Sequence, residues 1–185
     1  MGYSEFLLGL PNARKPTLSE AINNLQDASS LFVSGYTNRD IDQAERATVV
    51  AMRAFDFIVG EIMRCRDQQK ENGSYPNSYF EAAMNSLTGK MVAPVTRAEH
   101  QAVVTAGPGN GRLPSNLTPS IDISAEKVLN KIKHKHPGFA NFRIQNGRHI
   151  FIICPDKPSG GGPDSVVEFD VQDFCKQCRK IAAVM

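Results

Sequence analysis

The sequence predicts an α+β protein: an N-terminal helical bundle region, then a small α-β-β-β-α region with an antiparallel sheet. Three observations predict it. Thr17-Leu-Ser-Glu20 has the form of a capping box, in which a hydroxyl and a carboxylate each satisfy an orphan N–H at a helix start. Met52, Phe55, Val59 and Ile62 recur at i, i+3, i+7 and i+10, the spacing of one helix face. Asn146-Gly147 sits between two β-prone runs, the signature of a two-residue hairpin whose turn residues both need positive φ.

The first helix runs from the Thr17 box through Leu18, Ile22, Leu25, Leu31 and Phe32, with Gly35 as a natural stop. Pro11 to Pro16 is an extended lead-in to it. Asn38 to Asp40 can cap a second helix reaching about Arg66. Its far half is apolar over most of its girth, with Phe57, Ile58 and Met63 widening the stripe, whereas Arg39, Asp40, Asp42, Glu45 and Arg46 make its start polar. Such an apolar face is buried in a bundle or against another subunit, so Met52, Phe55, Val59 and Ile62 are candidate homo-oligomer contacts. Ser78-Tyr-Phe-Glu81 is a second capping pattern, opening a helix to about Leu87 that Gly89 ends. Residues 1–90 are thus read as the helical region.

Pro94, Gly107-Pro-Gly-Asn-Gly111, Pro114 and Pro119 mark residues 91–121 as a linker or arm. Residues 122–185 form the α+β region. Asp122 or Ser124 caps a fourth helix that Pro137-Gly138 terminates. Phe142–Gln145 and Arg148–Cys154 are the hairpin strands, Val166–Val171 a third strand, and Asp173–Val184 the last helix.

Composition narrows function by exclusion. The chain has 185 residues, 41% hydrophobic and 22% charged, ordinary values for a globular protein. A net charge of +2 leaves any nucleic-acid affinity to local patches. Met1 to Leu10 lacks the basic n-region and apolar run of a signal peptide, and no segment approaches the roughly 20 apolar residues of a membrane span. A non-secreted protein keeps its four cysteines as thiols, and the sequons at Asn72 and Asn116 are then unused. No Ser/His/Asp, Cys/His or paired-carboxylate set has local support, so the chain is not read as an enzyme and no cofactor is expected.

Cys175-Lys-Gln-Cys178 follows a strand and opens a helix, as a thioredoxin active site does, but that fold needs further strands beyond. The same cysteines with His149 and Cys154 are a conceivable tetrahedral zinc set, although positions five apart on a strand point to opposite faces. Gly107–Gly111 lacks the Gly-Lys-Ser/Thr ending of a phosphate loop. Lys127, Lys131 and Lys135 repeat at i, i+4 and i+8, and Arg143 and Arg148 flank the hairpin turn. From Asp122 onward ten Lys/Arg face seven Asp/Glu, a surplus of three. A lysine stripe is often only a solvated face. The order α-β-β-β-α is nonetheless also that of double-stranded RNA-binding domains, which read A-form shape through phosphates and 2′-OH groups. Those domains carry a lysine cluster at the start of the last helix, where Asp173 stands here.

Ala47-Thr-Val49, the helix through Glu61 and Arg64, then Gly73-Ser-Tyr75, Ser78 and Phe80-Glu81-Ala82 resemble the last helix and C-terminal signature of coat proteins of rod-shaped plant viruses, the tobamovirus-like family. Arg39-Asp-Ile-Asp42 is similar to that family's Arg-Arg-Val-Asp-Asp run, with Asp40 and Gln43 as departures. The resemblance covers roughly Arg39 to Leu87. It implies a subunit that assembles on single-stranded RNA, found in the virion or host cytoplasm. Arg39 and Arg46 would meet phosphate, Asp42 would either hydrogen-bond a base or ribose or act as a repulsive assembly switch, and Thr48 and Val49 would pack near bases.

Overall fold

The computed structural model describes residues 17–115, 119–157 and 161–185. The expected lead-in Pro11–Pro16, the Met1–Leu10 segment, the sequon at Asn116 and the middle of the second glycine-rich loop lie outside the described residues. The fold is α+β: an N-terminal helix pair, then an antiparallel five-stranded sheet with short helices. The elements are α1 (Leu18–Thr37), α2 (Ile41–Glu71), α3 (Tyr79–Met84), β1 (Leu87–Val92), α4 (Arg97–Thr105), β2 (Ile121–Ser124), α5 (Ala125–Lys133), β3 (Lys135–Gln145), β4 (Arg148–Pro155), β5 (Val166–Asp170) and α6 (Val171–Ala182). The strand order is β2-β1-β5-β4-β3.

Local chemistry explains the helix pair. The Thr17 hydroxyl accepts from the Glu20 N–H at 3.2 Å, and the Glu20 carboxylate accepts from the Thr17 N–H at 2.6 Å. Gly35 does not stop α1; it lies buried within the last turn. A Cβ there would come within 2.9 Å of the Ala44 nitrogen and 3.0 Å of the Asp40 oxygen, so glycine permits the close approach of α2. Arg39 takes the left-handed turn position at φ 61°, and the Asp40 carboxylate caps α2 by accepting from Gln43. α2 continues to Glu71, five residues beyond the expected end.

One face of the sheet meets the helices. Phe55 packs on Phe151, Phe169 and Phe174 with ring centroids 5.6–6.0 Å apart. Val128, Leu129 and Ile132 of α5 and Phe174, Cys175, Cys178 and Ile181 of α6 close the same core. Ile22, Leu25, Ile58 and Ile62 belong to that cluster too, so residues from both ends of the chain share one core. The stripe expected to serve a second subunit is consumed here. Phe55, Val59 and Ile62 are buried inside the chain and Met52 packs against them. An oligomer contact must therefore use other residues.

The opposite face carries a smaller cluster of Val92, Val95, Val103, Ile152, Cys154 and Val166. It is covered by α4, which the sequence reading placed in a linker. Residues 91–121 instead hold the end of β1, α4 and the start of β2. The helix starts on a Thr96–Glu99 capping box. His100 anchors it: fully buried, its Nε2 lies 2.9 Å from the Ser165 carbonyl oxygen, so this nitrogen carries the donated proton. β1 also replaces the expected end of α3, because pairing with both β2 and β5 overrides the weak local preference of Leu87–Val92.

The hairpin forms as expected, with Asn146 at φ 52° and Gly147 at φ 73°. Ser124, rather than Asp122, caps α5, and α5 ends at Lys133, ahead of Pro137-Gly138, which fall in β3. The residues of the coat-protein resemblance have local roles. Tyr75 is buried edge-on against Phe80 at 5.9 Å, and its hydroxyl donates to Glu126 at 3.0 Å. Burial would raise the Glu126 carboxyl, but hydrogen bonds from Lys70 and Tyr75 and the charges of Lys70 and Arg66 hold it below the usual carboxylate range.

Because Phe55 seats α2 on the sheet, Phe55→Ala is expected to lower unfolding free energy by about 3–5 kcal/mol in a denaturant melt. A loss below about 1 kcal/mol would mean the seam is not a packing centre.

Candidate functional site

A cleft opens where the α1–α2 pair leans over the β3–β4 hairpin. Its enclosed part has a volume of about 220 Å³ and is walled by Phe32 of α1, Thr48, Met52 and Phe55 of α2, and Phe142, His149 and Phe151 of the hairpin. Period-two alternation puts Phe142, His149 and Phe151 on the helix-facing side of the sheet. Helical spacing puts Thr48, Met52 and Phe55 on the side of α2 that looks back at them. Phe32 and His149 lie parallel at 4.7 Å, and Phe142 stands edge-on to Phe32 at 4.7 Å. Tyr36 extends the row, edge-on to Phe142 at 4.8 Å. Phe32, Tyr36, Phe142, His149 and Phe151 are all only half-buried. Beyond Tyr36 a shallower depression continues between Arg39, Ile41 and Ile144.

The polar groups in the cleft are few. The Ser29 hydroxyl pairs with His149 Nδ1 at 3.1 Å. The Thr48 hydroxyl donates to the Ala44 carbonyl at 2.9 Å. Burial pushes the His149 imidazole down to about 4, only partly offset by the Asp170 charge, so the ring is neutral at physiological pH.

The candidate residues do not all converge here. Thr48 lines the cleft and Arg39 the depression beside it, whereas Asp42 and Val49 are exposed on α2 and line neither, Val49 at 51%. Arg46 lies in a different groove, with Asp27, Leu31 and Val50. Four of the five C-terminal candidate cations are paired with carboxylates of the chain. Lys131 bonds Asp164, Lys135 bonds Asp56 at 3.0 Å, and Arg143 grips Glu168 in a two-pronged contact at 2.6 and 3.2 Å. Arg148 joins Asp170 at 2.6 Å and Asp173 at 2.5 Å. Lys127 is exposed. The supposed lysine stripe is also interrupted, because Lys135 belongs to β3 and not to α5.

The zinc set is taken apart by the sheet. His149 lies in the aromatic cleft, Cys154 in the cluster on the other face, and Cys175 and Cys178 in the main core. Among the described residues no group of three or more ligating side chains could hold a metal ion. Burial pushes the Cys154 and Cys175 thiols up to about 12 and Cys178 well above its ordinary value. Neither thiolate chemistry nor metal ligation has a foothold there.

A larger groove of about 530 Å³ is lined by strand residues and by α6, among them Lys90, Asp122, Arg143, Glu168, Asp173 and Lys176. Its charges alternate in sign and Arg143 is held by Glu168, so it offers no single-sign field. The aromatic cleft has no local signal in the sequence: Phe32 falls on a helix stripe and Phe142 on a hairpin strand, and nothing local says that rings 110 positions apart meet.

The neutral state of the His149 imidazole has a measurable consequence. Its folded value lies below the unfolded one of about 6.5, so the unfolded chain takes up a proton first as pH falls. The His149 contribution is complete above about pH 6.5 and is lost progressively toward pH 4, about 3 kcal/mol in all. NMR titration of the ring should give a midpoint near 4; a midpoint near 6.5 would mean that the cleft is open to bulk water.

No helix among the described residues is long and apolar enough to cross a membrane. Comparison with protein-family models, with curated proteins and with solved structures gives no match.

Proposed function

We propose that the chain is an RNA-binding structural protein, a coat- or nucleocapsid-like subunit that assembles on single-stranded RNA. The observation that carries this reading is the row of half-buried rings in one cleft, with Arg39 at one end and Thr48 on the rim. Aromatic side chains are platforms for unpaired bases, tolerant of sequence because every base has a π face. Arg39 meets backbone phosphate, Asp42 hydrogen-bonds a ribose or base, and Thr48 and Val49 pack beside the bases. A duplex is the weaker reading. Duplex binding runs through phosphate and 2′-OH contacts, and Lys131, Lys135, Arg143 and Arg148 already hold carboxylates of the chain itself. Subunit contacts fall to the outer groove of the helix pair, where Leu31 and Val50 are 52% and 46% exposed beside the oppositely charged Arg46 and Asp27. A surface carrying both signs can pair with its own copy.

Negative-stain electron microscopy with and without single-stranded RNA, at low and moderate salt, tests assembly. Rods or rings that lengthen with RNA are expected; a monodisperse monomer or dimer under every condition would sink the proposal. Because Arg39 is the one cation lining the cleft's open end among the described residues, salt dependence should be shallow, a log–log slope of about −1 per subunit. Arg39→Gly relieves the left-handed backbone while deleting the guanidinium. It should flatten that slope by about 0.7 without lowering Tm; an unchanged slope would remove Arg39 from the interface.

A further inference from the structure

We propose that the enclosed end of the aromatic cleft is a pocket for one unstacked nucleobase, held by ring contacts and one hydrogen bond to His149. This deepens the RNA reading and rests on it for the source of the base. Size is the first argument. At about 220 Å³ the cavity lies below the roughly 300–1,000 Å³ of sites for drug-sized ligands, so it suits a single planar ring system. Charge is the second. No Lys, Arg, Asp or Glu lines it, so the part of a ligand that enters is uncharged. A phosphate stays outside, on the side where Arg39 and Tyr36 form the next depression.

The hydrogen-bonding chemistry is the third argument. His149 Nδ1 is occupied by the Ser29 hydroxyl, and Nε2 has no partner among the described residues. The Ser29 hydroxyl can donate to Nδ1 or accept from it. The first arrangement makes Nε2 a donor, the second an acceptor. A neutral imidazole that can present either character, in a pocket walled by Phe32, Phe142 and Phe151, matches a heteroaromatic ring with a mixed donor and acceptor edge. A plain hydrocarbon ring would leave Nε2 without a partner, which burial penalises.

The test uses the full chain, labelled with ¹⁵N at histidine, titrated separately with adenosine, guanosine, cytidine and uridine, and with ribose 5-phosphate as a base-free control. At least one nucleoside should shift His149 Nε2 saturably, and ribose 5-phosphate should not. Ala140 is exposed at the cavity mouth, so Ala140→Trp should block entry with the Tm unchanged and weaken nucleoside binding tenfold or more. Phe142→Leu keeps apolar bulk but loses the ring, and should weaken binding about ten- to a hundredfold. No saturable shift with any nucleoside up to its solubility limit, or equal shifts in both variants, would overturn the pocket. The pocket and the RNA reading fail separately. Nucleoside binding without RNA binding keeps the pocket and sinks the RNA reading, while RNA binding without nucleoside shifts does the reverse.

Discussion

Phe55 sits where the helix pair, the sheet and the last helix meet. Its ring touches Phe151 of β4, Phe169 of β5 and Phe174 of α6. Aromatic contacts of this kind stabilise by area burial plus about 0.5–1.5 kcal/mol per well-oriented pair. The seam also sets where α2 lies over the sheet. With Phe55 fixed, Met52 and Thr48, one and two turns earlier, come to stand above the hairpin instead of over the centre of the sheet. The aromatic cleft is the space this placement leaves between α2 and the hairpin. Core and candidate site are therefore consequences of one contact. The close crossing of α1 and α2 at Gly35 is its counterpart, because it brings Phe32 and Tyr36 up to the hairpin rings.

Electrostatics limits what the molecule can recognise. Lys131, Lys135, Arg143 and Arg148 are bound to carboxylates, and Glu126 gathers Arg66, Lys70 and Tyr75 into one cluster. These pairs tie strands and helices together but neutralise the cations that a duplex backbone would need. With a net charge of only +2, little remains to attract polyanions over distance. The proposed affinity for nucleic acid then rests on stacking at close range, the mode suited to unpaired bases. That physical constraint links the proposed partner to the ring-lined cleft rather than to the lysine-rich α5.

Two neutral imidazoles show how the two sheet faces are used. His100 is a structural clamp on the covered face, donating to the Ser165 carbonyl, and burial together with the nearby Arg97 charge lowers its proton affinity. His149 on the helix-facing side is also kept neutral by burial, yet it opens onto a cavity and leaves one ring nitrogen unsatisfied by protein. The same side chain in the same charge state is clamp in one place and candidate recognition group in the other.

Local chemistry determined much of the fold before any tertiary contact. The Thr17 box, the α2 stripe, the Asn146-Gly147 turn and the α-β-β-β-α order each depend on residues within a few positions of one another, so they are legible in sequence. β1, β2 and α4 are not. Leu87–Val92 and Ile121–Ser124 are too short to show a period, and they become strands only because β5 and one another supply the hydrogen bonds. The Thr96–Glu99 box was a readable signal for α4, masked by the surrounding prolines and glycines. The sites divide in the same way. The coat-protein resemblance named Arg39 and Thr48, but the tertiary structure decided which cations were already paired and that Cys154 lies across the sheet from His149, Cys175 and Cys178. It also decided that rings from α1, β3 and β4 share one cleft. The ring contacts of that cleft cross 100 residues or more of chain, and neither residue type nor spacing encodes which partners will meet.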